Sequence, residues 1–207
     1  MKKLILSFLL LFSLSFSAAA GEMAFCIGFA KPLQKTYADD ESGFGHGYAL
    51  DFQMREFEQS GFSLTAEVTL GFYTNELFTD HENDSVLFAD FKFLFGAGYD
   101  FFHSLKSRRI HFVLSAVAGC QYMPSYHDDF CRHGKKDKAN QYILTVSGGA
   151  DAFFSCYFSD NFGIYIDVTA FASFGGTEKK FNSCSKSIST FCTDLTLLPK
   201  IGIVWKK

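Results

Sequence analysis

Phe62-Ser63-Leu64-Thr65-Ala66-Glu67-Val68-Thr69-Leu70-Gly71-Phe72 alternates residue by residue. Phe62, Leu64, Ala66, Val68, Leu70 and Phe72 make one row. Ser63, Thr65, Glu67, Thr69 and Gly71 make the other. Successive side chains of a strand point to opposite faces, so this is a strand with one apolar and one polar or small face.

The rhythm recurs on both sides of that stretch. Every second residue is apolar from Phe25 to Phe29, from Leu87 to Tyr99 and from Ile110 to Tyr122. The same holds from Tyr142 to Phe154, from Phe162 to Phe174 and from Leu195 to Trp205, with Gly148 and Pro199 in the rows. One more row runs Phe44, His46, Tyr48, Leu50, Phe52, which brings the expected strands to eight. Glycines and turn residues lie between them. No helical period of any length competes.

Which face points inward decides between a soluble barrel and a membrane barrel. The apolar rows carry no Asp, Glu, Lys or Arg, and His46 is their one titratable nitrogen. A lipid-facing strand needs that purity, because Lys or Arg at the bilayer midplane costs about 2–4 kcal/mol. The opposite rows carry Asp51, Glu67, Asp90, Lys92, His111, Asp151, Asp167 and Lys200 among many Gly, Ser and Thr. Charges of both signs placed inside a barrel must pair. The expected connections also alternate. Residues 56–61, 100–109 and 155–161 are the shorter ones; 31–43, 74–84, 123–140 and 175–193 are generally longer. Short periplasmic turns and long outer loops belong to membrane barrels. Aromatics gather near strand ends, as interfacial girdles require, although aromatics favour strands in any case. The expected fold is all-β, an eight-stranded antiparallel up-and-down transmembrane barrel. A soluble lipocalin-like carrier is the rival, and the charged inner rows count against it.

Residues 1–20 read as a cleaved export signal. Met1-Lys2-Lys3 is basic, Leu4 to Phe16 is apolar, and Ala18-Ala19-Ala20 supplies small residues before the cut. The alternative, a membrane-spanning helix, would be at the lower length limit and rich in Ser. The barrel would then occupy residues 21–207. Of the 207 residues, 48% are hydrophobic and 27 are Phe, which excludes a disordered chain. Without Lys2 and Lys3, the 19 basic residues fall to 17 against 22 acidic, so no basic field points at nucleic acid.

With this pattern the chain resembles the small eight-stranded outer-membrane proteins of diderm bacteria, the OmpX, OmpA-barrel and OmpW group, over essentially its whole mature length. Lys200-Ile201-Gly202-Ile203-Val204-Trp205 looks like the C-terminal insertion signal of that class, carried by Lys200, Gly202 and Trp205. The resemblance implies location in an outer membrane, with lipid and the barrel-insertion machinery as partners. It also brings three classes of function. The first is a structural or surface-binding protein whose outer loops meet extracellular ligands. The second, following OmpW, is a porin-like conduit for small hydrophobic solutes that leave sideways between strands. The third is a lipid-modifying enzyme.

No constellation supports the enzyme. Asp40, Glu41, Ser42 and His46 sit near one outer rim, but no spacing picks out a nucleophile and a base. His103-Ser104 falls in a periplasmic turn whose basic residues suit anionic headgroups. Gly43-Phe44-Gly45-His46-Gly47 does not lead into a helix, so it is no dinucleotide site. His127, Asp128, Asp129, Cys131 and His133 match no zinc spacing and read as a solvated loop. No cofactor or metal is expected. An exported chain can form disulfides. Cys184 and Cys192 share one expected outer loop and are the candidate pair, with Cys120 and Cys131 second. Cys26 and Cys156 read as single thiols; in the alternative, all six cysteines are apolar fillers.

Overall fold

The computed structural model describes residues 21–38, 41–75, 87–105, 109–131, 135–181 and 187–207. The expected signal, residues 1–20, lies outside them. The described strands are β1 (Glu22–Ala30), β2 (Leu33–Ala38), β3 (Glu41–Phe57), β4 (Phe62–Asn75), β5 (Leu87–Asp100), β6 (Ile110–Cys131), β7 (Lys135–Tyr157), β8 (Phe162–Phe181) and β9 (Ser187–Lys206). All pairings are antiparallel, and the order closes on itself through β1–β9 and β3–β4.

β1 and β2 are one stave. Both pair with β3 on one side and β9 on the other, in one continuous register. The interruption falls at Lys31-Pro32. Lys31 N–H still donates to the Pro199 carbonyl at 3.0 Å, and Gly47 N–H to the Pro32 carbonyl at 3.1 Å. Proline has no N–H to return, so each of these two positions lacks a rung. Nine strands therefore make an eight-stave barrel.

The register fixes the shape. Pairing leads from Ala24 to Arg55, Thr65, Gly96, Val117, Gly149, Phe171 and Thr196, and returns to the first stave at Gln34, ten residues further along. For eight strands at ordinary spacings, a stagger of ten tilts the staves by about 40°. Two aromatic belts then fall level. Phe25, Phe62, Tyr99, Phe112, Phe154, Phe162 and Trp205 lie at the end where the chain begins. Tyr37, Phe44, Phe72, Tyr122, Tyr142 and Phe174 lie toward the other. Ten or twelve residues separate the belts along a tilted strand, about 25–30 Å, close to the height of a bilayer's apolar band.

The alternation sorts inside from outside. Phe29 and Tyr48 are 71% and 70% exposed, and Ile164, Ile166, Ile201 and Ile203 also face out. Asp51, Asp90 and Asp167 are fully buried inside. Glycine makes room where large inner side chains cross the bore: a Cβ on Gly28 would meet the Tyr165 hydroxyl at 2.4 Å. Gly61, at φ +90°, closes the tight turn between β3 and β4.

Two sequence expectations are corrected. The segments read as outer loops at 31–43, 123–140 and 175–193 are largely strand. Above a bilayer both faces of a hairpin meet water, so polar residues and proline do not end the ladder. Because the first stave continues through 31–38, the outward rows are not free of charge: Lys31 and Lys35 face outward on it. The fourth of those segments, 74–84, falls mostly on residues outside the description.

Candidate functional site

The inner surface is organised in three tiers of buried polar groups. The middle tier lies between the aromatic belts, nearer the lower one: Asp151 is three residues from Phe154, and Arg55 pairs with Ala24, next to Phe25. Its centre is Arg55 of β3, whose Nη2 donates to Asp151 at 2.8 Å and Asp167 at 3.1 Å. The guanidinium lies 3.9 Å from the Phe153 ring centroid. Lys200 of β9 donates to Glu67 at 2.6 Å, Asp167 at 3.1 Å and Thr169 at 2.7 Å. Gln53 Nε2 bridges Asp51 at 2.8 Å and Asp167 at 2.6 Å, and the Tyr165 hydroxyl donates to Asp51 at 2.8 Å. Two cations thus pair with three carboxylates, Asp151, Asp167 and Glu67, while Asp51 accepts from Gln53 and Tyr165 and the Thr169 hydroxyl donates to Asp151 at 3.1 Å. The staves bring these groups together because their inward rows meet at one level.

Nearer the outer belt, Lys92 pairs with Asp90, which also accepts from Gln121 at 3.0 Å. Above them pack Tyr73, Phe88, Met123, Ile143 and Cys192. At the periplasmic end His111 Nδ1 lies 2.7 Å from Asp100. Asp100 also accepts from the backbone N–H of Phe102 at 3.0 Å and Phe112 at 3.2 Å. His111 stacks on Phe57 at 4.1 Å, and Lys206 sits 4.0 Å over the Tyr157 ring while pairing with Glu22 at 3.0 Å. These groups stop the lower mouth.

Asp51, Glu67, Asp90, Lys92, His111, Asp151, Asp167 and Lys200 are therefore all inside. Sequence reading missed Arg55, which pairs with both Asp151 and Asp167 in the middle tier. Its signal was present: Asp51, Gln53 and Arg55 continue one inward row. Asp100 was missed because it ends a strand and resembles a turn residue. Gly202 and Trp205 lie on β9 at the seam with β1, where Phe25 and Trp205 stack at 5.8 Å.

Cys192 is a free thiol buried inside the barrel, and Cys184, the other half of the candidate pair, lies outside the described residues. Cys26, Cys120 and Cys156 are also free. Residues 127–131 lie on β6 and not in a loop; His133 is outside the description, as is Asp40. Glu41, Ser42 and His46 are exposed on β3. Among the described residues no serine or cysteine is hydrogen-bonded to a histidine.

On the outward wall, Lys31 sits 5.9 Å from the Tyr48 ring, and Lys35 5.2 Å from each of Tyr37 and Phe44. Here the wall is scooped into a depression of about 880 Å³ whose lining is mostly apolar, with Lys31, Lys35 and His46 at one side of it. On the outer side β6 runs on to Cys131 and β8 to Phe181, well past Tyr122 and Phe174. The β6–β7 hairpin therefore rises about 20 Å above the outer belt, while the first stave and β3 turn back close to it.

A closed ring, an apolar belted exterior and a packed, charged interior define a transmembrane β-barrel of the outer-membrane type. The outer membrane protein OprG from Pseudomonas aeruginosa is similar over 91% of this chain and 96% of its own, with 11% identity and a TM-score of 0.57. A major outer membrane protein from Thermus thermophilus is similar over 87% of this chain and 99% of its own, with 8% identity and a TM-score of 0.52. The outer membrane protein AlkL, solved in DMPC lipid bilayers, is similar over 90% of both chains, with 11% identity and a TM-score of 0.50. At such identities the likeness is one of fold. No family model and no curated protein matches the chain.

Proposed function

We propose that this barrel is an outer-membrane protein of a diderm bacterium with a structural or surface-binding role, exercised through its projecting outer side. The observation that carries this reading is the filled bore. Arg55, Lys200 and their carboxylates span the lumen between the belts, with side chains packed above and below them. A barrel built this way has no aqueous path to offer, whereas its tall outer wall is well placed to meet ligands. The test is to replace residues 126–140 by a two-residue turn. Binding of the variant to extracellular matrix components or host cells is then compared with the intact protein. Loss of binding with an intact barrel supports the reading; unchanged binding sinks it.

A second reading, a conduit for small hydrophobic solutes leaving sideways, draws on the rungs withheld by Pro32 and Pro199 beside the apolar depression. Vesicle uptake of a hydrophobic dye that survives hairpin removal would favour it over the first.

A further inference from the structure

We propose that the outward depression beside Lys31, Lys35 and His46 holds one phosphorylated, acylated lipid of the outer leaflet. Its phosphate sits at the lysines, and its acyl chains lie along a floor of small residues.

The cationic end is built by register. Leu33 pairs with His46 and Lys35 with Phe44, so Lys31, Lys35 and His46 occupy neighbouring outward positions on two adjacent strands. His46 stands diagonal to both lysines at about 7 Å, and Lys31 and Lys35, four residues apart on one strand, are about 13 Å apart, a gap that two extended lysine arms can close on one phosphate. Among the described residues neither lysine has a carboxylate partner. Their ammonium groups are held only over ring faces. An unpaired cation below the outer belt, as Lys31 is, is costly unless something anionic meets it, and Lys35 stands level with the belt, where headgroup phosphates lie.

The apolar end is also built by register. Gly148 pairs with Ala172, Ala170 with Leu197, and Ala172 with Leu195. Three small residues thus lie at a height where the far side of the barrel presents Phe91, Phe93 and Tyr122. Leu33, Leu195 and Leu197 form the bank between this floor and the lysines. Gly148 opens onto free space: a Cβ there would find its nearest atom, the Val117 carbonyl oxygen, at 4.0 Å.

The stagger orients the occupant. Crossing from β7 through β8 and β9 to the first stave, each register step climbs toward the outer belt. The floor therefore lies several ångströms deeper than Lys35. A lipid with its head up and tails down fits; one from the opposite leaflet would enter inverted. A hydrophobic solute would leave the two cations unanswered, and a second copy of this chain would press an apolar wall on them.

The test uses the full refolded barrel and native mass spectrometry, with diphosphorylated lipid A as probe. The expected result is one lipid A retained through detergent exchange. Retention should fall about tenfold for Lys31→Gln/Lys35→Gln and for dephosphorylated lipid A, and persist for Lys31→Arg/Lys35→Arg. Gly148→Leu should also lower retention with both lysines intact, because it fills the floor without meeting backbone. Removing charge from a lipid-facing row favours insertion, so the Gln variant is expected to fold, which unboiled gel migration verifies. Equal retention by the wild type and either the Gln or the Gly148→Leu variant overturns the proposal. Displacement by inorganic phosphate alone also overturns it, since the site would then recognise an anion without tails.

Discussion

Arg55 shows what one inward side chain does for the barrel. It is fully buried and satisfies Asp151 and Asp167 at once. Arg55→Leu leaves Asp151 without its cation, while Asp167 keeps Lys200. The expected destabilisation is about 3–5 kcal/mol, read as a lowered urea midpoint in vesicles. Adding Asp151→Asn should restore part of it, because the stranded charge is removed; a double variant no more stable than the single one would contradict the pairing. Trp205, the chain's one tryptophan, faces outward in the periplasmic belt. Its fluorescence should be quenched more by lipids brominated near the headgroup than by lipids brominated at the tail end. Residue positions were legible where alternation was long. Asp167 and Lys200 sit in unbroken rows, so their facing followed from parity. Arg55 escaped because Met54 and Glu56 blur the apolar row beyond Phe52.

At the scale of elements, the strands were legible inside the bilayer and not above it. Between the belts one face must be apolar, which writes period two into the sequence. Above the outer belt no face needs to be apolar, so residues 125–131 and 175–181 look like loop while continuing the ladder. Pro32 misled for a related reason: it withholds one donor yet leaves the register unbroken. The paired outer extension is separable from the barrel beneath it. Replacing residues 126–140 by a short turn should leave the heat-dependent gel shift intact and lower the urea midpoint little. A chain that no longer migrates fast unboiled would mean that the outer ladder supports the ring.

For the whole molecule, closure and filling set the expected behaviour. Every stave has two neighbours, so no edge meets lipid. The chain should refold into detergent micelles, run faster unboiled than boiled, and give β-rich circular dichroism. In planar bilayers it should show no steady conductance at neutral pH. Open-channel steps would contradict the filled bore. The candidate site divides in the same way. The inner charges could be read from parity, whereas the outer depression depends on which small residues the stagger brings level, a relation between distant staves that no single stretch of sequence displays.

The seam between β1 and β9 joins the two ends of the described chain, with Ala24 beside Lys206. That gives the barrel a temporal property as well as a shape. Until the last stave, β9, arrives, both the first and the seventh present bare backbone edges that lipid cannot satisfy. The ring therefore cannot close before β9 is in place. Contacts so remote in sequence also close slowly. A chain cut before β9 would not be a smaller barrel but an open sheet, and its fate would be to remain outside the membrane with its apolar rows unprotected.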